Sequence, residues 1–202
     1  MRRGLKARAT FRVDRRDATV HAKAVELSKR RPTGGEFNSE LFREAMTTTS
    51  SQQIVRASIG DAQAIHDLVN TFARRGEMLP RTMSEVYQNL RDFYVVRDES
   101  GTAVACGALH ILWEDLGEIK SLAVREDQQG RGLGARIVEA CIDEARGIGL
   151  TTAFALTYRP GFFEKLGFAQ ADVMTLPRKV WGECYRCPKF PTCNEIAMVR
   201  PV

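Results

Sequence analysis

Long hydrophobic runs are missing from the sequence, and this absence excludes several classes of protein. No apolar segment approaches the roughly 20 residues that a membrane-spanning helix needs, so we do not expect a membrane protein. The N-terminus is rich in arginine and lacks the apolar core of a secretory signal, so we do not expect export by that route. The cysteine content, 5 in 202 residues, favours a reducing compartment over a disulfide framework, and we expect a cytoplasmic protein.

Positive charge is concentrated at the start of the chain. The formal net charge is +5, but residues 1–31 hold 11 Lys and Arg against 3 acidic residues, so the rest of the chain carries −3. Residues 1–51 show no sustained helical or strand period. We therefore expect a basic, disordered extension over 1–51, or a segment upstream of a natural start at Met46, followed by a folded domain over 52–202. A nucleic-acid-binding arm and an organelle transit peptide are the alternatives for this extension.

Hydrophobic periodicity predicts alternating strands and helices in the folded part. Apolar residues at 65, 68, 69 and 72 have helical spacing behind an N-cap at Asp61, and Thr82 with Glu85 forms a capping box. The resulting order β-α-α-β-β-β-α-β-α-β combines an antiparallel meander with crossovers, and it predicts an α/β fold with a mixed sheet. The predicted strands are 54–57, 93–97, 102–112, 116–124, 152–156 and 195–200, and the predicted helices are 61–75, 82–90, 132–146 and 160–166.

A glycine-rich loop is the strongest functional pattern. The buried strand that ends at Val124 leads into a loop with three glycines at 129–135, and this loop opens a helix. Glycines let a backbone approach a ligand closely, and a helix N-terminus directs unpaired N–H groups at an anion. The pattern predicts a phosphate or pyrophosphate ligand, with a tightly packed turn as the alternative.

Two common phosphate loops do not fit this segment. Gly130-x-Gly132-x-x-Ala135 matches the dinucleotide-binding pattern, but the strand before it ends an antiparallel meander instead of starting a βαβ unit. The next strand, 152–156, also carries no acidic residue for a ribose. No Gly-Lys-Ser/Thr follows the glycines, which excludes a Walker loop.

The loop resembles the acetyl-CoA loop of the GNAT N-acetyltransferases, with the Q-x-x-G-x-G pattern at 129–134. The segment 162–168 resembles the closing helix of that family, and the resemblance covers about residues 53–202. It implies the GNAT fold, a mixed and mostly antiparallel sheet flanked by helices, with acetyl-CoA as cosubstrate and no metal. The pyrophosphate is expected on the loop amides and the pantetheine arm along the strand at 121–124. The implied acetyl-CoA-binding residues are Leu122, Ala123, Val124, Gln129, Gly130, Arg131, Gly132, Leu133, Gly134, Ala135 and Phe163.

Other segments resemble the short, stand-alone N-acetylglutamate synthases of bacteria within that family. They lie at 79–81, 106–110, 113–119 and 179–191. This resemblance implies acetyl transfer from acetyl-CoA to the α-amino group of L-glutamate, the first step of arginine biosynthesis. It leaves a homodimer open and predicts neither a membrane nor a nucleic-acid partner. The alternatives are a GNAT enzyme acting on another amino acid, a small amine or a protein N-terminus, and a nucleic-acid-binding protein that uses the basic extension.

The catalytic residues are assigned by the same resemblance. Glu118 matches the proposed base of the glutamate-type synthases, which frees the lone pair of the acceptor amine. Phe163 stands where many GNAT members have a tyrosine as general acid, so the proton donor to the leaving thiolate is left open. Thr157 and Tyr158, at the end of a strand, are the candidates for this donor.

The acceptor-binding residues follow from the charge of the substrate. Two carboxylates call for cations, and we expect Arg81, Lys120 and Ser121 to bind the acceptor, with Arg159 and Lys179 as weaker candidates. Lys120 shares a strand face with the proposed base if the strand is regular, whereas a bulge between them would reverse this.

The five cysteines fall into two groups. Cys106 and Cys141 lie on apolar faces and are predicted core residues. The other three thiols, at 184, 187 and 193, have no histidine nearby in sequence as a fourth metal ligand. We expect this segment to cover the substrate pocket, and a zinc or iron–sulfur site is the alternative.

Overall fold

The computed structural model describes residues 53–176, 182, 184–187 and 189–202. Lys179 and the predicted extension over 1–51 lie outside these residues. Within them, seven strands form one sheet in the order β1-β2-β3-β4-β5-β7-β6. The strands are β1 Ile54–Arg56, β2 Phe93–Arg97, β3 Ala103–Ile111, β4 Leu116–Val124, β5 Thr152–Thr157, β6 Ala169–Ala171 and β7 Ile196–Pro201, and the α-helices are α1 Ala62–Ala73, α2 Met83–Gln88, α3 Leu133–Gly147 and α4 Pro160–Glu164.

The sheet is mixed and mostly antiparallel, as predicted. Strands β1 to β4 form an antiparallel meander, β4 and β5 are parallel, and β7 runs antiparallel to both β5 and β6. The predicted element order is confirmed, with one strand added. That strand, Ala169–Ala171, is too short to show the alternation by which strands are recognised in a sequence.

Helices cover both faces of the sheet. Helix α3 packs against one face through Ile137 and Ile142, and α1 packs against the other through Ile65 and Val69. The predicted core cysteines are both fully buried, Cys106 of β3 in the cluster beneath α1 and Cys141 on the buried side of α3. Burial raises the pKa of each of these two thiols to about 12, so both stay protonated at neutral pH. None of the helices in the described part of the chain is long and apolar enough to cross a membrane.

Asp61 is the N-cap residue of α1, as predicted, and its side chain joins the start of this helix to β2. The carboxylate makes no capping hydrogen bond to the helix. It accepts instead from the Ser58 backbone N–H at 2.7 Å and from the Arg97 Nη2 at 2.6 Å. Burial raises the pKa of Asp61, but the hydrogen bonds from Arg97 and Ser58 outweigh this and hold the pKa below its ordinary value. The nearly buried Asp61 carboxylate is therefore oriented by its hydrogen bonds to Ser58 and Arg97 and not by the helix.

This ion pair predicts a stability loss that depends on pH. Asp61→Asn should lower the free energy of unfolding in urea at pH 7 by about 2 kcal/mol, since it removes the charged acceptor of the Arg97 hydrogen bonds. Because the folded-state pKa is depressed, the stabilisation is present above the ordinary pKa of 3.8 and is lost as the pH falls below it. Asp143→Asn, at an exposed ion pair on α3, is the control and should cost far less. An equal loss at pH 7 and pH 3 would contradict the assignment.

Candidate active site

Strands β4 and β5 separate soon after they begin to pair. Their last shared pair is Glu118 with Phe154, yet β4 continues to Val124 and β5 to Thr157. A cavity of about 420 Å³ occupies the gap between them. Beyond the last pair, the β4 and β5 backbone groups that face the gap have no strand partner within the described residues. An extended ligand that carries amide groups can therefore add to these edges as a strand would.

A β-bulge in β4 lies at the inner wall of this cavity. Cys106 pairs with Ala123, but two residues further along β3 the partner is Lys120, so β4 carries one extra residue here. Ser121, within the bulge, has a φ of 54°, in the left-handed region that costs a non-glycine residue about 1–2 kcal/mol. Gly107 lies opposite, and a Cβ there would fall 2.7 Å from a methyl group of α3. The bulge can pack against α3 because this position is glycine.

The glycine loop opens onto the other end of the cavity. Gly130 and Gly132 have φ values of 75° and 76°, which favour glycine, and no atom lies within 4 Å of where their Cβ atoms would be. The Gln129 side chain donates to the Val124 carbonyl at 3.0 Å and ties the loop to the end of β4. Helix α3 is 15 residues long and begins directly after the loop. Its first N–H groups, which have no partner within the helix, therefore lie at the loop end of the cavity. The loop offers an unobstructed backbone cradle for a phosphate or pyrophosphate.

Most of the residues predicted to bind acetyl-CoA line this cavity. The exception is Arg131, whose exposed side chain borders a separate depression beside Asp98 and Glu99. Thr157, Tyr158, Lys120 and Ser121 line the cavity as well. Several further residues that line the cavity were not predicted from the sequence. Some of them are next to predicted residues in the chain, but the others have no local sequence pattern that indicates a binding role. The residues that were not predicted include Phe72, Glu77, Met78, Leu156, Phe162 and Glu195.

The two candidate proton donors end β5 at the rim of the cavity, and each has a defined partner. The Tyr158 hydroxyl accepts a hydrogen bond from Lys189 Nζ at 2.6 Å. The Thr157 hydroxyl accepts from the Arg159 backbone N–H at 2.9 Å. The Arg159 side chain in turn pairs with Glu77 at 2.9 Å, and this ion pair bridges two segments that border the cavity.

A second, smaller pocket of about 70 Å³ adjoins the large cavity. Lys120 and Ser121 line both of them. Arg81 lines the small pocket only, and Asn70 holds its backbone by accepting from its N–H and donating to its carbonyl. The predicted capping box is confirmed just after it, with the Thr82 hydroxyl accepting from the Glu85 N–H at 3.2 Å. The three residues predicted to bind the acceptor therefore meet at one place.

Charges of both signs surround this pocket. Each of its basic side chains lies beside a carboxylate, and the pKa of Glu85 is lowered by the Thr82 backbone N–H, with smaller contributions from the neighbouring cations. The arrangement suits a ligand that itself carries both charges, as a free amino acid does. The pairs are Arg81 with Glu85 at 3.9 Å, His110 with Asp92 at 2.7 Å and Lys120 with Glu118 at 3.1 Å.

Glu118 lies under Lys120 and borders neither cavity. It is only 4% exposed, and its Oε2 binds the Lys120 ammonium at 3.1 Å. The bulge follows Lys120 instead of preceding it, so the two side chains share a strand face, as a regular strand predicts. The side chain of Lys120 thus lies between Glu118, the predicted base, and the two pockets.

The C-terminal cysteine segment approaches the same cavity. Cys193 is exposed, and its thiol donates to Glu195, which lines the cavity. Cys184 and Cys187 are half-buried. Among the residues that the structure describes, no group of three or more His, Cys, Asp or Glu side chains is arranged to hold a metal ion.

Comparison with known proteins agrees with this geometry. The model of the acetyltransferase (GNAT) family matches residues 62–168. The chain is 35% identical over 144 residues to an uncharacterized N-acetyltransferase of Chlorobaculum tepidum, which covers 71% of this chain and 92% of the relative. It is 36% identical over 133 residues to an amino-acid acetyltransferase of Mycobacterium tuberculosis, covering 65% of this chain and 76% of the relative.

Solved structures show the same similarity. A Mycobacterium tuberculosis protein in complex with CoA superimposes with a TM-score of 0.65 at 29% identity, over 74% of this chain and 99% of that one. The N-acetylglutamate synthase of Neisseria gonorrhoeae, complexed with coenzyme A and N-acetyl-glutamate, superimposes with a TM-score of 0.64 at 29% identity. That match covers 74% of this chain but only 34% of the larger synthase. The chain belongs to the GNAT family and is an acetyl-CoA-dependent N-acetyltransferase.

Proposed function

We propose that this enzyme transfers the acetyl group of acetyl-CoA to the α-amino group of L-glutamate, the reaction that opens arginine biosynthesis. The observation that carries the proposal is the junction of the two pockets at Lys120 and Ser121. The large cavity suits an extended thioester arm, and the small pocket beside it suits a charged amino acid. Relatives named amino-acid acetyltransferase, and a similar structure that holds N-acetyl-glutamate, support this acceptor.

The backbone of the glycine loop and the free edges of the gap hold acetyl-CoA in this proposal. The loop amides and the start of α3 bind the pyrophosphate, because they present N–H groups and a positive dipole end. The amide-bearing arm lies between β4 and β5 and places the thioester beside the bulge. A backbone N–H near Leu122 stabilises the oxyanion that forms on the carbonyl oxygen during attack.

The small pocket orients the acceptor. Arg81 and Lys120 bind the carboxylates of glutamate, since charge-assisted hydrogen bonds from these cations are strong and directional. Glutamate competes there with Glu85 for Arg81. The Arg81–Glu85 ion pair is loose, because its charged atoms are 3.9 Å apart. The α-amine is thereby directed at the junction with the large cavity.

Glu118 is the base in this proposal. The α-ammonium of glutamate must lose a proton before it attacks, and the buried Glu118 carboxylate, which borders neither pocket, accepts it through one water. Lys120 Nζ lies 3.1 Å from the Glu118 Oε2 and fixes the position of the carboxylate. The departing thiolate needs little help, because a thiol has a pKa of about 8.5. Thr157 and Tyr158 are placed to supply that help.

A second acceptor class is favoured by one observation. Glu85 and Asp92 also line the small pocket, and carboxylates would bind a polyamine or another small cationic amine. The acceptor panel that follows separates the two classes.

The first test of the proposal is a panel of acceptors. The full-length enzyme is assayed for CoA release from acetyl-CoA with each of the twenty amino acids, spermidine and putrescine. We expect L-glutamate to give the highest kcat/KM, because two carboxylates match the two cations of the small pocket. A polyamine ranking above glutamate would establish the second class, and several unrelated amines above glutamate would overturn the acceptor.

Arg81 should determine the affinity for glutamate. Arg81→Gln is expected to raise the KM for glutamate about tenfold or more, because a hydrogen bond to a charged group contributes about 1.5–3 kcal/mol. The KM for acetyl-CoA should stay within about twofold. Arg91→Gln is the matched control, since Arg91 is exposed and borders neither pocket. If both variants keep the wild-type KM for glutamate, Arg81 does not bind the acceptor.

Glu118 should determine kcat. Glu118→Gln keeps the shape but removes the base, so kcat at pH 7 should fall by roughly 10²–10⁴. The remaining rate should rise with pH as more free amine arrives from solution, and the acetyl-CoA affinity measured by calorimetry should hardly change. Glu114→Gln, at an exposed position in the same hairpin, provides the control. A near-normal kcat for Glu118→Gln at pH 7 would exclude Glu118 as the base.

A further inference from the structure

Lys189 contacts Tyr158 across a long sequence distance. Its ammonium nitrogen lies 2.6 Å from the phenol oxygen and 4.8 Å from the centre of the ring. The contact joins the C-terminal cysteine segment to the end of β5, and it is partly buried. It is thus a point at which this segment reaches a side chain that lines the acetyl-CoA cavity.

The direction of the hydrogen bond follows from the chemistry of the two groups. A lysine ammonium has only donors, so the Tyr158 oxygen is the acceptor. The phenol proton must then point away from Lys189. Because Tyr158 borders the cavity between β4 and β5, a ligand in that cavity is available to receive this proton.

The surroundings keep Lys189 positively charged. The hydrogen bond to Tyr158 raises the pKa of Lys189, and the nearby Glu195 and Cys193 act in the same direction. Glu195 lines the cavity and accepts from the thiol of Cys193, so these groups together make up the titratable environment of the ammonium. A cation at this distance stabilises the negative charge that remains on a phenol oxygen once its proton leaves.

We propose that Lys189 is a positioning residue that makes Tyr158 the proton donor to the departing sulfur of CoA, an inference that rests on the proposed acetyl transfer. As the C–S bond of the thioester breaks, its electron pair goes to sulfur and sulfur takes the phenol proton. The phenolate is held by the Lys189 ammonium until it recovers a proton from solvent.

The contact with Lys189 distinguishes Tyr158 from Thr157, the other candidate proton donor. Among the described residues, the Thr157 hydroxyl accepts from a neutral backbone N–H at 2.9 Å, and an aliphatic hydroxyl is a much weaker acid than a phenol. Tyr158 has the more acidic group and a cation bound to its oxygen. Through the Lys189–Tyr158 pair, the C-terminal cysteine segment also takes part in catalysis. A segment that only covered the pocket would not need this contact.

The kinetic test compares four variants, using glutamate or the best acceptor found in the panel. Lys189→Met should lower kcat about tenfold with little change in the KM for acetyl-CoA, and Lys189→Arg should restore most of the loss, because it returns a cation. Tyr158→Phe should lower kcat at least as much, and the double variant should be no slower than Tyr158→Phe alone. Lys165→Met is the control, since Lys165 is exposed and lines neither pocket. Additive losses in the double variant, or an unchanged kcat for Lys189→Met, would overturn the proposal.

A spectroscopic test needs no acceptor. The chain has 4 tyrosines, so the difference in tyrosinate absorbance between wild type and Tyr158→Phe isolates one of them. Loss of the ammonium in Lys189→Met should move this absorbance midpoint to a higher pH. The same midpoint in both proteins would show that the pair does not form in solution and would overturn the inference. If glutamate fails in the panel while the midpoint shifts and another amine gives the expected kinetics, only the proposed acceptor is wrong.

Discussion

The parting of β4 from β5 after Glu118 and Phe154 is the constraint on which the rest of the structure depends. A sheet that stayed closed would satisfy its own backbone groups and leave no room for a ligand. The open edges must be held apart by something other than their own hydrogen bonds. On one side, the bulge at Ser121 is packed against α3 through the space left at Gly107. On the other side, β7 pairs with β5 along its whole length, from Thr152 to Thr157, and anchors it in the sheet.

The charges at the junction of the two pockets follow from the same opening. Buried charges are costly unless they are paired, and the buried Glu118 carboxylate lies beside the Lys120 ammonium, while Arg81 lies beside Glu85 nearer the surface. The pairs differ in strength, because the Arg81 pair spans 3.9 Å and is partly exposed whereas the Lys120 pair spans 3.1 Å and is buried. An incoming carboxylate can therefore displace the partner of Arg81 far more easily than that of Lys120. In the proposed function, Arg81 is therefore the cation that exchanges its partner for the acceptor, and Lys120 is the one that stays paired with Glu118.

Local patterns were enough to predict the parts of the site that are contiguous in sequence. The bounds of β4 were predicted correctly, and so was the glycine loop with α3 behind it. Strand alternation and loop-forming residues are patterns of neighbouring residues, so the sequence shows them directly. Contacts between distant segments were not predictable in this way. The N-cap position of Asp61 was predicted, but the bond of its side chain to Arg97 was not, because Arg97 lies 36 residues away in β2. The Lys189–Tyr158 pair and the Glu77–Arg159 pair have no local signal, and the bulge at Ser121 was left open because alternation alone does not locate an extra residue.

The open edge of β5 also bears on how the protein tolerates sequence change. Backbone N–H and C=O groups are the same for every residue except proline, which lacks the donor. An amide-bearing ligand that lies along Ala155–Thr157 is thus recognised by atoms that substitution leaves in place. The proposed acceptor pocket, by contrast, is lined by individual charged side chains such as Arg81 and Lys120. Under that proposal, side-chain replacements would leave the backbone contacts of the acetyl donor in place, whereas one or two of them would change the choice of acceptor without rebuilding the sheet.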